Sequence, residues 1–241
     1  MKKLQKAAEL LWLLGIVFVA LGVAICSKAN LGVSMIAAPA FVIHEALAPF
    51  WPSLSVGVTE YIIQGLLLLI LCLAVRRFNW RYLLAFAVAV LYGYVLDFFL
   101  WLLGGVSFDA VWLRFVMLLL GDTVTAFGVA CFFRTYMPLQ VYELFVAELA
   151  DRFGFPLGKT KLGFDMSLLA LSLLLAFTLF SDVKSLDFTT VWYTSFHSIG
   201  LGTLITAAIN SPLIACMGKL VDRALGKDAA FGRMEKLLKR N

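Results

Sequence analysis

Charge is scarce in this chain. Asp, Glu, Lys and Arg make up 15% of its 241 residues, against about 25% in soluble domains. That is too little to cover a water-soluble globule, and the apolar balance also excludes a disordered chain and a coiled coil. Histidine is scarcer still: His44 and His197 are the only two, too few for a His-rich metal centre. Cys26, Cys72, Cys131 and Cys216 form no CxxC pair, and each lies inside or at the end of an apolar segment. They read as small buried hydrophobes, which excludes a disulfide scaffold. No HExxH, GxSxG or Walker sequence occurs. The glycine-rich pieces at 198–203 and 102–105 sit in apolar surroundings and suit close helix packing rather than phosphate binding. No nucleophile–base pair stands out, so an enzyme is not expected, and neither is a cofactor or a metal.

What the chain has in quantity is apolar side chains, 62% of the total, with a mean hydropathy of +0.95. The class this points to is an all-α polytopic membrane protein. A spanning helix needs about 20 largely apolar residues. Six stretches qualify: 8–26, 56–75, 82–103, 111–132, 162–181 and 192–217. Two shorter apolar stretches, 33–50 and 138–150, are too short to cross and too apolar for ordinary loops. The N-terminal run carries Glu9 early and ends without a small-x-small cleavage site, so it reads as a retained first span.

Lys and Arg set the orientation. With the N-terminus inside, the inner side holds Lys2, Lys3, Lys6, Arg76, Arg77, Arg81, Arg134, Arg152, Lys159, Lys161 and the seven basic residues after Met217. The outer side holds Lys28, Arg114 and Lys184. The 17:3 split predicts six crossings with both termini inside. The net charge of +5 is accounted for by this bias, and no nucleic-acid partner is expected. The basic tail, 219–241, reads either as an amphipathic surface helix, with Ala230, Phe231, Met234, Leu237 and Leu238 as its apolar face, or as a solvated tail.

The chain repeats. A shift of 106 lays Leu13-Leu14-Gly15 on Leu119-Leu120-Gly121, Gly22-Val23-Ala24 on Gly128-Val129-Ala130 and Lys28 on Arg134. A shift of 105 lays Glu60 on Asp165. Each half reads as span, short segment, span, span, so the halves are 1–106 and 107–218. Three crossings is an odd number, and the second half must insert upside down. Inverted repeats are a transporter signature. Gly32 and Pro138 break the chain at equivalent places before the two short segments. Those segments are either re-entrant, with a helix N-terminus that suits an anion, or interfacial, with Lys28 and Arg134 snorkelling to headgroups.

The stretches GVAICSKANLGVS, LYGYVLDFFLWLL and GKTKLGFDMSLL resemble the YczE/YyaS/YitT-type family of bacterial integral membrane proteins. The motif positions fall at Lys28, Gly32 and Ser34, at Gly93, Tyr94 and Asp97, and at Gly158, Lys159, Lys161 and Asp165. The family's Pro-x-x-Glu-like element has no exact match, because Pro138 and Glu143 are five apart. The resemblance covers most of 15–215 and implies a bacterial cell-membrane location, this fold and a transport role, with no substrate.

Ionisable groups within spans are expensive and mark candidate sites. Asp97, Asp122 and Asp165 are candidates for ion coupling, with an Asp97–Arg114 pair as the alternative for the first. Lys28, Asn30, Ser34, Glu60, Arg134, Glu143 and Asn210 are candidates for solute binding. Lys161 and Asp165, four apart, form either a local ion pair or a gate, and Glu60 and Gln64 make the matching polar pair in the first half. Asn210-Ser211-Pro212 is expected to interrupt the last span, and a lone His197 reads as structural. The expected function is a proton-coupled secondary transporter of a small anionic or zwitterionic solute. A substrate-binding subunit of an ATP-driven system and a cargo-free scaffold are the alternatives. Partners are the solute, the bilayer and, as an open option, a second copy.

Overall fold

The computed structural model describes residues 2–76, 78–135, 137–180 and 194–225, with 2–8, 224 and 225 described as backbone. The described residues form eight helices: α1 (Lys2–Ala29), α2 (Ala38–Leu47), α3 (Val56–Val75), α4 (Trp80–Leu102), α5 (Val111–Phe132), α6 (Val141–Phe153), α7 (Leu157–Leu179) and α8 (Leu201–Leu225). Six of these, all but α2 and α6, are long and apolar enough to cross a membrane. This is a multi-pass, all-helical membrane protein.

Two of the six spans differ from the sequence reading. The last helix starts at Leu201 rather than at 192. Residues 194–200 instead form a turn closed by a bridge between Phe196 and Ile199, and 192–193 lie outside the described residues. Asn210-Ser211-Pro212 does not interrupt α8, which runs through Pro212 to Leu225. A spanning helix tolerates proline when neighbours satisfy the freed carbonyl. The helix thus takes in 219–225 of the basic tail, and the proposed surface helix around Phe231 lies outside the described residues. The other change is at α7, which opens early, directly after Pro156.

Contacts fix how the helices run. Gly15 lies against Gly128, and Gly22 against Gly121, so α1 and α5 are antiparallel. A methyl group on Gly22 would sit 2.5 Å from the Gly121 carbonyl oxygen, and one on Gly128 would sit 2.9 Å from the Gly15 oxygen. In lipid there is no hydrophobic drive between helices, and small residues that allow backbones to approach supply the attraction. Glycines 57 and 93 bring antiparallel α3 and α4 together in the same way. α5 and α8 run parallel, since Leu118 meets Gly202 and Arg134 meets Gly218. We call the end holding Ala29, Leu102 and Leu179 the upper end.

The helix pairings recur across the two halves. α1 packs on α4 as α5 packs on α8; α2 packs on α7 as α6 packs on α3; and α2 packs on α3 as α6 packs on α7. The short helices bury their N-terminal parts, Ala38–Val42 in α2 and most of Val141–Val146 in α6. Large apolar side chains face outward on α3 (Leu66, Leu69, Ile70, Leu73) and α7 (Leu171, Leu174, Phe177). Exposed aromatics gather at the two ends, Trp51, Trp101 and Trp112 above and Phe78, Trp80 and Phe155 below. Such belts mark membrane–water interfaces.

Candidate functional site

Four helices bring ionisable groups together in the interior. Glu60, the fifth residue of α3, is 1% exposed. Its Oε2 accepts a hydrogen bond from the Tyr142 hydroxyl at 2.7 Å, while its Oε1 is buried without a partner. One turn on, Gln64 is fully buried with its amide beside the Glu60 carboxyl, and neither its nitrogen nor its oxygen has a well-formed hydrogen bond. From α6, Glu143 is also buried, with Oε2 unpartnered. From α7, Asp165 holds Lys161 at 3.1 and 3.3 Å. Glu143 faces that pair. Tyr92 of α4, 2% exposed, lies within electrostatic reach of Glu60 and Glu143.

This arrangement sets protonation outside the spans. Burial raises the Glu143 carboxyl above its ordinary range, Lys161 opposes the shift, and Asp165 adds to it. Burial and the adjacent Glu60 hold the Tyr142 phenol well above its ordinary value, so it remains a donor. The site therefore combines buried carboxyls, two phenols and the buried Gln64 amide. α6 carries its part into the interior. Tyr142 at its start meets Glu60 near the upper end of α3, whereas Glu148, six residues on, lies within reach of Tyr82 at the lower start of α4.

Other candidates are placed elsewhere. Lys28 and Arg134 do not converge. Lys28 donates to the Gly104 carbonyl at 3.4 Å at the upper end. At the lower end Arg134 forks onto Asp222 of α8, at 2.6 and 2.7 Å. Because α1 and α5 are antiparallel, Lys28 and Arg134 lie at opposite ends of the bundle and do not share an anion site. Asp97 pairs with the start of α3 rather than with Arg114: it accepts from Ser55 Oγ at 2.5 Å and from the Gly57 N–H at 2.8 Å. It anchors a helix terminus. Asn30 adopts φ 52° and accepts from the Ser195 amide (2.8 Å) and hydroxyl (2.5 Å). The Ser34 carbonyl starts α2 by accepting from Ala37 and Ala38. Asp122 of α5 is buried beside Cys26 with Oδ2 unpartnered, and Asn210 Oδ1 of α8 is likewise buried and unpartnered.

The break after α1 is as expected at Gly32, whose φ is +107°. A Cβ there would lie 2.7 Å from the Gly200 nitrogen. The extended 31–33 stretch bonds to the turn before α8, Val33 N to Ser198 O and Gly202 N to Leu31 O. Sequence reasoning missed Tyr142 and Tyr92, and it missed the contacts of Glu45 with His197 Nδ1 (3.0 Å) and the Ser198 hydroxyl. For the tyrosines the only signal was position, Tyr142 directly before Glu143 and Tyr92 within the third span.

A family model matches residues 6–219, nearly the whole of this arrangement. The chain belongs to DUF6198. DUF6198 is a family of unknown function. No curated protein matches the chain, and no solved structure matches it. The DUF6198 match takes in all eight helices up to Lys219 and every residue of the buried cluster.

Proposed function

We propose that this chain is a proton-coupled secondary transporter of a bacterial cell membrane, built from two inverted three-span repeats and working by alternating access. The observation that carries the reading is the pair Glu60 and Glu143. Two carboxyls from different helices are buried in an apolar bundle, and each keeps an oxygen without a partner. A structural role would satisfy those atoms, whereas a carrier needs groups that change partner during its cycle. Ionisable residues at membrane depth are characteristic of proton relays.

The repeat reading is supported by a reciprocity. Gly15 and Gly121 are equivalent in sequence, as are Gly22 and Gly128. Gly15 touches Gly128, and Gly22 touches Gly121. Replacing each residue by its equivalent turns one contact into the other, as across a two-fold axis. The three recurring helix pairings support the same reading. In it, α2 and α6 are re-entrant helices, both termini are cytoplasmic, and the breaks before the short helices place unwound backbone near the site. Kinship with the YczE/YyaS/YitT-type proteins belongs to this proposal and rests on the motifs around Lys28, Asp97 and Lys161.

The test is capture. The full chain is reconstituted into liposomes with a pH gradient and incubated with a mixture of small polar solutes, and the lumen is analysed by mass spectrometry. The expected result is at least one solute enriched tenfold or more over protein-free liposomes, with enrichment lost on adding a protonophore. No enrichment of any solute by well-inserted protein would overturn the reading.

A further inference from the structure

The buried cluster has three carboxyls and one ammonium. Lys161 is held by Asp165 through both carboxylate oxygens, so it is committed within α7. Glu60 and Glu143 have no cation of their own among the described contacts. Their free oxygens, Glu60 Oε1 and Glu143 Oε2, accompany both polar atoms of Gln64 as buried groups without partners. All three side chains belong to residues at least nine-tenths buried.

A lone carboxylate in such surroundings is neutralised by a proton or by a bound cation. We propose that Glu60, Gln64, Tyr142 and Glu143 form a site for a small organic cation bearing N–H donors, an ammonium or guanidinium, which the protein exchanges for protons. The inference rests on the transporter reading and names its cargo and its coupling.

The donor and acceptor inventory selects this class. Glu60 Oε1, Glu143 Oε2 and Gln64 Oε1 are three acceptors without a well-formed hydrogen bond, and the Gln64 amide lies beside the Glu60 carboxyl, where it can orient that group. Tyr142 and Tyr92, both buried, add aromatic side chains of the kind that favour cations beside the same carboxyls. An anion would meet carboxyl oxygens, and the basic pair that could draw it, Lys28 and Arg134, is engaged at the two ends of the bundle. A bare metal ion fits poorly, since among the described residues no three His, Cys, Asp or Glu side chains come close enough together to hold one. Proton and cation compete for the same oxygens. One proton leaves Glu60 or Glu143 for each positive charge that binds, so the coupling is exchange rather than co-transport. The groups facing these carboxyls are Tyr92 from α4, Tyr142 from α6, and Lys161 and Asp165 from α7.

The experiment uses the full chain in proteoliposomes with an acidic lumen and a trapped pH dye. Guanidinium and agmatine, both permanently charged, are added outside at millimolar concentration. The expected result is a rise in lumenal pH that protein-free liposomes lack. Tetramethylammonium, which has no N–H donor, should give at least tenfold less. Glu60→Gln and Glu143→Gln should each cut the guanidinium response tenfold or more. Gln64→Leu keeps both carboxyls, guards against misfolding as the cause, and should weaken guanidinium binding about tenfold. In detergent the apparent guanidinium Kd should rise toward tenfold for each unit of acidification through the carboxyl titration, as single-proton competition requires. If anionic or zwitterionic solutes move protons and guanidinium does not, the cargo assignment falls while the transporter reading stands. If no solute of any class moves protons, both fall. A guanidinium Kd independent of pH would overturn the exchange.

Discussion

Glu143 is buried, and its carboxyl is raised chiefly by that burial. The folded protein therefore keeps a proton that the unfolded chain releases near the ordinary glutamate value of about 4.3. The stability this gives is complete below the unfolded value and is lost as pH rises through the raised one. We predict that the melting temperature in detergent falls as pH is raised from weakly acidic to weakly alkaline, and that Glu143→Gln flattens the slope. An unchanged slope in the variant would contradict this. Tyr142→Phe leaves a second oxygen of Glu60 unsatisfied, at a cost of about 1–3 kcal/mol. A thermal-shift comparison at fixed pH checks it, and an unaltered melting temperature would speak against the hydrogen bond. Glu60, Glu143 and Asp165 were legible because a charge in an apolar stretch is expensive. Tyr142, which bonds Glu60, was not, since a tyrosine in a short apolar segment reads equally well as an interfacial anchor. Lys28 and Arg134 align in the sequence, but antiparallel α1 and α5 hold them at opposite ends of the bundle.

Close approach defines the helix pairs. Gly22→Ala places its methyl 2.5 Å from a backbone oxygen of α5, so a helix must move, and such overpacking costs about 1–3 kcal/mol. Gly163→Ala, in α7 with nothing within 4 Å of its Cβ position, should instead stabilise by about 0.5–1 kcal/mol through helix propensity. Opposite signs in a denaturation series are the expected result, and matching signs would contradict the packing. The Arg134–Asp222 fork ties α5 to α8 with Arg134 10% and Asp222 25% exposed. A double-mutant cycle with Arg134→Gln and Asp222→Asn should return a coupling of about 0.5–3 kcal/mol; a value near zero would make the contact incidental. Most spans were legible from length and hydropathy alone. The start of α8 was not, because 194–200 runs straight into the apolar stretch that follows and is set as a turn by long-range bonds to Asn30 and Val33, which sequence alone does not show. Pro212 misled in the other direction, since a break is a local inference and α8 continues through it.

At the scale of the molecule, the proposed repeat rests in the sequence on two glycine pairs and one basic pair. The glycines mattered because they sit at a crossing, α1 on α5, where backbones meet. Periodicity could not reveal which helices share the acidic cluster, since α3, α4, α6 and α7 converge from both halves of the chain. The account stands or falls on whether that cluster carries protons. The most direct measurement is proton movement in proteoliposomes, read by a lumenal dye during transport of a captured solute, with the wild type compared with the Glu60→Gln/Glu143→Gln double variant. The account predicts solute-dependent proton flux in the wild type and its loss in a double variant that inserts normally. Equal proton flux in both would contradict it.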